Sequence, residues 1–239
     1  MASNPGKKIA LVAGGTGGLG RAITLAFLER GFHVTVPYGA PEKWEALQNA
    51  AGAGRSNLEG FRVDVTDEPA VKQLVAGVVA KHGGIDALVN AIGGYAGGIK
   101  LWELDPKVLD KMLALNLRSG FVLAREVVPV MLEQGDGAIV NVAAKAALDH
   151  GAGASAYAAS KAAAVAMMDS LAADLKGTGV RANSILPSII DTDANRKAMP
   201  GSDTAKWPKP EDIAKVVLFL CSEDAKVIQG AAIPVYGNS

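Results

Sequence analysis

Short apolar runs alternate with longer amphipathic stretches along the whole chain. Ile9–Val12, His33–Val36, Leu58–Val63, Ala87–Asn90, Ala138–Val142, Ala182–Leu186 and Ala231–Val235 are brief and bounded mostly by Gly, Asp or Pro, and several are rich in Val and Ile. That pattern predicts buried strands. Between them, Leu19–Arg30, Glu42–Ala51, Glu68–His82, Lys107–Gln134, Ala156–Lys176 and Glu211–Ser222 carry helical periodicity. Pro210-Glu211-Asp212 starts the last of these with Pro in the first turn and acids at the positive end of the dipole. Seven strands with intervening helices predict parallel crossovers and a doubly wound α/β sheet of Rossmann type, helices on both faces, in a single domain over residues 1–239. Residues 191–210, rich in polar residues, Pro and Gly, show no clear pattern. A segment of that length in a compact domain is expected to be a lid or a substrate wall.

Composition narrows the function classes. The 24 Lys+Arg balance 24 Asp+Glu, and aromatics are 5% of 239 residues. Neither a basic surface for nucleic acid or an anionic membrane nor a base-stacking platform is expected. No apolar run reaches the length of a membrane span, and no signal peptide is legible, so a cytoplasmic protein is the expectation. The single cysteine, Cys221, lies in an apolar helix and reads as a buried structural thiol. His33, His82 and His150 are scattered without ligand spacing, so no metal site is expected.

Two motifs carry chemistry. The first is the strand–turn Ile9 to Arg21, in which Gly14, Gly18 and Gly20 keep the spacing G-x-x-x-G-x-G, with Thr16, Gly17 and Leu19 between them. Glycine there permits positive φ and lets backbone N–H groups approach a phosphate, while the following helix directs its N-terminal dipole at the anion. At the start of an alternating α/β chain this points to a dinucleotide. The end of the second strand reads Val36-Pro37-Tyr38-Gly39. Tyr38 stands where an acid would bind the ribose 2′-OH of NAD. No carboxylate repels a 2′-phosphate, which favours NADP over NAD, but no Arg follows immediately, and Lys43 is the nearest cation. Asp64-Val65 ends the third strand, where Asp64 either accepts from the adenine amino group or caps the next helix.

The second motif is Tyr157-Ala158-Ala159-Ser160-Lys161. Positions i and i+4 share a helix face, so a phenol and an ammonium enter one cleft. The ammonium and a positive nicotinamide ring would favour phenolate and bring the proton into working range. The competing reading is a surface Tyr with a solvated Lys.

With these elements in order, the chain resembles the short-chain dehydrogenase/reductase family over nearly its whole length. Asn90-Ala91-Ile92-Gly93 resembles that family's Asn-Ala-Gly element beside the cofactor. Asn116 matches the helix Asn that holds a water in a proton relay to the lysine. Pro187, Ile189 and Thr192 match the element touching the nicotinamide carboxamide, and Leu218-Phe219-Leu220 and Val235-Tyr236-Gly237 match the C-terminal pattern. The resemblance implies a small-molecule substrate, hydride transfer with a nicotinamide cofactor, Tyr157, Lys161 and Asn116 as catalytic groups, and dimers or tetramers through the Lys107–Gln134 and Ala156–Lys176 helices.

One position departs from the family pattern. Ala144 stands where the family places a Ser that polarises the substrate carbonyl. Either the site is weakened, or Ser155 substitutes, or the substrate is not a simple ketone. The third reading finds a local likeness to dihydropteridine reductases, which lack that Ser and reduce a quinonoid dihydropterin. It is carried by Gly93 to Gly98 with Tyr95, by Ala144 to Asp149 with Lys145, and by Asp191 to Met199 continuing to Trp207-Pro208. Tyr95 could stack on a flat ring, Lys145 could project toward the substrate or into solvent, and Trp207 could cover the substrate or pin the loop. His150 could line the cleft or stand by. The alternatives are a carbonyl or alcohol oxidoreductase, and a nucleotide-binding module with a weakened site.

Overall fold

The computed structural model describes residues 7–238. Seven strands, β1 (Ile9–Ala13), β2 (His33–Tyr38), β3 (Leu58–Arg62), β4 (Ala87–Asn90), β5 (Gly137–Val142), β6 (Val180–Pro187) and β7 (Ala232–Val235), form one sheet in the order β3-β2-β1-β4-β5-β6-β7. Every pairing is parallel. Eight α-helices connect them: α1 (Gly18–Glu29), α2 (Pro41–Ala50), α3 (Glu68–His82), α4 (Pro106–Leu113), α5 (Ser119–Gln134), α6 (Ser155–Asp174), α7 (Asp193–Ala198) and α8 (Pro210–Leu220).

The central strands are apolar without interruption because both faces are covered. Alternate residues divide between two cores. Ala10, Val12, Val34, Val36, Val89 and Val140 pack with Ile23 and Phe27 of α1 and Ile213 and Val217 of α8. Ile9, Leu11, Ala13, Leu88 and Ile139 pack with Val71 and Val78 of α3, Leu123 and Val127 of α5, and Met168 of α6. Cys221 belongs to the first core, and burial raises its thiol to about 12, which leaves it inert at neutral pH. No helix among the described residues is long and apolar enough to cross a membrane.

Two elements differ from the sequence expectation. The stretch expected as one helix from Lys107 to Gln134 is α4 and α5 joined by a π turn at Ala114–Arg118. Periodicity cannot reveal a single inserted residue, because the core faces on either side stay in register with their own helices. The segment 191–210 is not patternless: it contains α7 and a 3₁₀ turn at Thr204–Lys206. Asp191 N–H donates to the Pro208 carbonyl at 3.0 Å, which ties the two ends of the loop together. The carboxylate of Asp191 takes the Arg196 guanidinium in a two-pronged pair at 2.5 and 2.7 Å.

Candidate active site

The chain leaves β1 toward the β2–β3 side and returns to β4 on the other side, which opens a crevice at the carboxyl ends of β1 and β4. The glycine turn occupies it. Gly14 has φ +79°, and a β-carbon there would come within 2.7 Å of the Ala91 carbonyl after β4. A β-carbon on Gly20 would overlap the Gly14 carbonyl oxygen, and one on Gly18 would lie 2.8 Å from the Thr192 methyl. The turn is therefore packed against β4, α1 and the β6–α7 loop so closely that only hydrogen fits. Gly17 caps α1, whose first N–H groups open toward the crevice. Leu19 turns inward and is core.

A cleft of about 590 Å³ continues from this turn, lined by Gly14, Thr16, Tyr38, Arg62, Asp64, Val65 and Ile92 among others. Its glycine floor, helix N-terminus and polar far end fit a dinucleotide. Tyr38 stacks on Trp44 at 5.1 Å with the rings 5° from parallel, and Gly60 leaves room for the Trp44 ring on β3. Arg62 is the register partner of Tyr38 on β3. It is exposed and makes no side-chain hydrogen bond or ion pair within the described residues. Reading along the chain missed this guanidinium. Only the β2–β3 pairing brings it beside Tyr38, whereas Lys43 is exposed on α2. Asp64 does not cap α3; that role belongs to Asp67. Its carboxylate accepts from the Thr66 N–H and hydroxyl, at 2.9 and 2.7 Å, and these bonds hold its pKa below the usual carboxylate value.

Asn90 ties the floor together. Its amide donates to Asn141 across the β4–β5 pair at 3.1 Å, and its carbonyl accepts from Ile92 N–H at 3.2 Å. Ala91 N–H donates to the Ala13 carbonyl. Pro187 ends β6, Ile189 is partly exposed beyond it, and Thr192 caps α7 while covering Gly18.

Tyr157 and Lys161 lie in the first two turns of α6, beyond the carboxyl end of β5. Lys161 is 5% exposed and donates from Nζ to the Val142 carbonyl at 2.9 Å. Burial lowers its pKa to about 8. Asn116, in the π turn, is also buried. Its Oδ1 accepts from Gly94 N–H at 2.9 Å, and its Nδ2 donates to the Gly94 carbonyl at 3.1 Å and to Ser160 Oγ at 2.9 Å. A β-carbon on Gly93 would lie 3.0 Å from Asn116 Oδ1 and 3.1 Å from Lys161 Nζ, so both groups converge on that glycine.

The Tyr157 proton behaves differently from the expectation. Burial, followed by the neighbouring Tyr95, raises its pKa to about 12. The Lys161 ammonium is spent on Val142 rather than on the phenol. Tyr95, 71% exposed, meets Tyr157 edge to face at 5.0 Å. Ala144, 7% exposed, has no side-chain donor. Ser155 begins α6, and its Oγ is buried with no hydrogen-bond partner among the described residues.

Three other candidates are directed elsewhere. Trp207 is 8% exposed, so it pins the loop and does not cover a ligand. His150 is exposed, its Nε2 at 3.2 Å from the Ala147 carbonyl. Lys145 lies over the Tyr236 ring at 5.1 Å, with Asp149 4.0 Å away. The histidines are not all scattered, for the fold brings His33 and His82 into contact.

Comparison with known proteins agrees with this architecture. The family model described as short chain dehydrogenase matches residues 8–203. The chain is 31% identical over 239 residues to 3-oxoacyl-(acyl-carrier-protein) reductase of Thermotoga maritima, covering 97% of each chain. It is 36% identical over 243 residues to D-threitol dehydrogenase of Mycolicibacterium smegmatis, covering 97% of this chain and 92% of the relative. Among solved structures, ElxO with NADP bound superposes with a TM-score of 0.92 at 26% identity, covering 97% of this chain and 98% of that one. The names of the two curated relatives describe carbonyl and alcohol chemistry, and the pteridine likeness gains no support from them. The glycine-floored cleft, the Tyr–Lys helix and the family match together make this chain a member of the short-chain dehydrogenase family, an NAD(P)-dependent oxidoreductase of the carbonyl/alcohol type.

Proposed function

We propose that the chain interconverts a small carbonyl compound and its alcohol, with NADP(H) as the hydride carrier and Tyr157 as the proton donor in the direction of reduction. The observation that carries this reading is the pairing of Tyr157 and Lys161 on one face of α6, with Lys161 against Gly93, the residue after Ile92 of the cleft. A phenol with a pKa near 12 is protonated at neutral pH and supplies a proton to a developing alkoxide. When bound, the nicotinamide cofactor would supply the hydride in reduction and accept it in oxidation. Lys161, held by Val142, would bind a ribose hydroxyl, and Asn116 holds the Gly94 backbone and Ser160. Gly14, Thr16 and the α1 N-terminus would hold the pyrophosphate. With no acid at Tyr38, Arg62 would grip a 2′-phosphate in a charge-assisted pair. Ser155 is the hydroxyl nearest in sequence to Tyr157 that could take the part Ala144 cannot.

Tyr95 beside Tyr157 favours a second reading, in which an aromatic wall receives a flat quinonoid ring such as a dihydropteridine. The loop 191–210 would serve as a lid in either case. A second copy would cover the apolar groove formed by Leu113, Leu117 and Phe121 of the α4–α5 face and Met167 of α6.

The test follows oxidation of NADPH and NADH with a panel of ketones and with freshly generated quinonoid dihydropterin, using the native protein and Tyr157→Phe. Ketone-dependent turnover that falls about a hundredfold or more in the variant, with cofactor binding retained, is expected. Pterin-dependent turnover alone would favour the second reading. Turnover unchanged in Tyr157→Phe would remove the proton-donor assignment.

A further inference from the structure

We infer that His33, Glu59 and His82 form a binding site for one zinc-like divalent cation, at the end of the sheet opposite the cofactor cleft. His33 opens β2, Glu59 lies on β3 and His82 ends α3. One donor atom from each residue lies within 4.8 Å of the other two. Glu59 Oε2 is 3.1 Å from His82 Nε2 and 3.5 Å from His33 Nε2. Four-coordinate zinc with bonds of about 2.0–2.1 Å separates its ligands by about 3.3 Å, so these two distances already match edges of that polyhedron. The imidazole rings sit 4.0 Å apart, tilted by 37°. Two imidazoles and a carboxylate are a donor set that suits zinc and leaves a position for water, whereas magnesium and calcium prefer oxygen.

The surroundings point the same way. Lys81 Nζ holds the other carboxylate oxygen, Oε1, at 2.7 Å, which orients Glu59 and leaves Oε2 toward the histidines. His33 Nε2 is buried and has no hydrogen bond among the described residues. Thr35 Oγ1 is likewise buried and unbonded. Thr35 pairs in register with Glu59 and lies two residues from His33, so all three side chains share one face of the sheet. Each of the three side chains retains partial exposure, between 13% and 20%, which leaves an entry path. Tyr38 at the other end of β2 is about 16 Å away along the strand. The ion would therefore clamp the edge strand β3 and the last turn of α3 onto β2 and take no part in hydride transfer.

The experiment uses full-length protein freed of metal by chelation. Thermal melts are recorded with zinc chloride, with magnesium chloride and with neither. The histidine ring protons are followed by NMR as cobalt(II) is added. Zinc but not magnesium is expected to raise the melting temperature, and the rise is expected to vanish in His82→Gln and in Glu59→Gln. In the native protein, cobalt should shift or broaden the signals of His33 and His82 and spare His150, a readout independent of whether the variants fold. No zinc-dependent shift, a shift that survives in the variants, or a cobalt effect confined to His150 would each overturn the site.

Discussion

Replacing Lys161 with Met tests the electrostatics of the candidate site in a way that turnover alone cannot. The ammonium is almost fully buried, and burial moves its pKa from 10.5 to about 8. Below about pH 8 both the folded and unfolded chains bind this proton, and the folded state bears the whole cost of a buried charge. Between about pH 8 and 10.5 the unfolded chain keeps the proton while the folded chain has released it, so stability rises with pH in that window. The full difference corresponds to about 3 kcal/mol, most of which accrues by about pH 10. Cys221 titrates in both proteins, so it drops out of a comparison across pH. Stopping near pH 10 also keeps Tyr157 from contributing, because its raised pKa acts in the opposite sense above that point. Urea unfolding of native protein and Lys161→Met should thus diverge by about 2–3 kcal/mol in favour of the native chain as pH is raised from about 7 to 10. A difference that stays constant across this range would refute the buried-ammonium account and place Lys161 in solvent.

Gly20→Ala should lower stability by about 3 kcal/mol and abolish the rise in melting temperature on adding cofactor, since its β-carbon meets the Gly14 backbone and not a movable side chain. Differential scanning fluorimetry with and without NADPH checks both. Arg62→Ala should raise KM for NADPH by about tenfold or more and leave KM for NADH unchanged, read from initial rates with each cofactor.

Much of this architecture follows from local pattern. Every strand, and every long helix except the one that the π turn divides into α4 and α5, lies within a few residues of the bounds that apolar spacing implies, because a parallel sheet covered on both sides must be written in short uninterrupted apolar runs. The phosphate turn is legible for a related reason. Gly20 is demanded by the Gly14 backbone a few residues before it, and Gly14 by its own positive φ, so these requirements are recorded in the sequence at the place where they act. Tyr157 and Lys161 are legible because a helix converts a separation of four into a shared face.

The remainder depends on pairings between distant segments. Arg62 stands beside Tyr38 only because β3 lies next to β2 in register. Asn116 reaches Gly94 from a π turn that periodicity reads as plain helix. The Tyr157 pKa rises because the phenol is buried beside Tyr95 while Lys161 turns to Val142, and neither direction is set by a spacing of four. Trp207 reads as a possible cover for the substrate and is instead a buried anchor, since the depth of a loop residue depends on what the loop packs against. His33, Glu59 and His82 become neighbours through strand order and the position of α3 on one face of the sheet. Chain-local geometry is therefore set by the sequence itself, while side-chain encounters across strands, and the charges and burial that follow from them, were decided only by the tertiary structure.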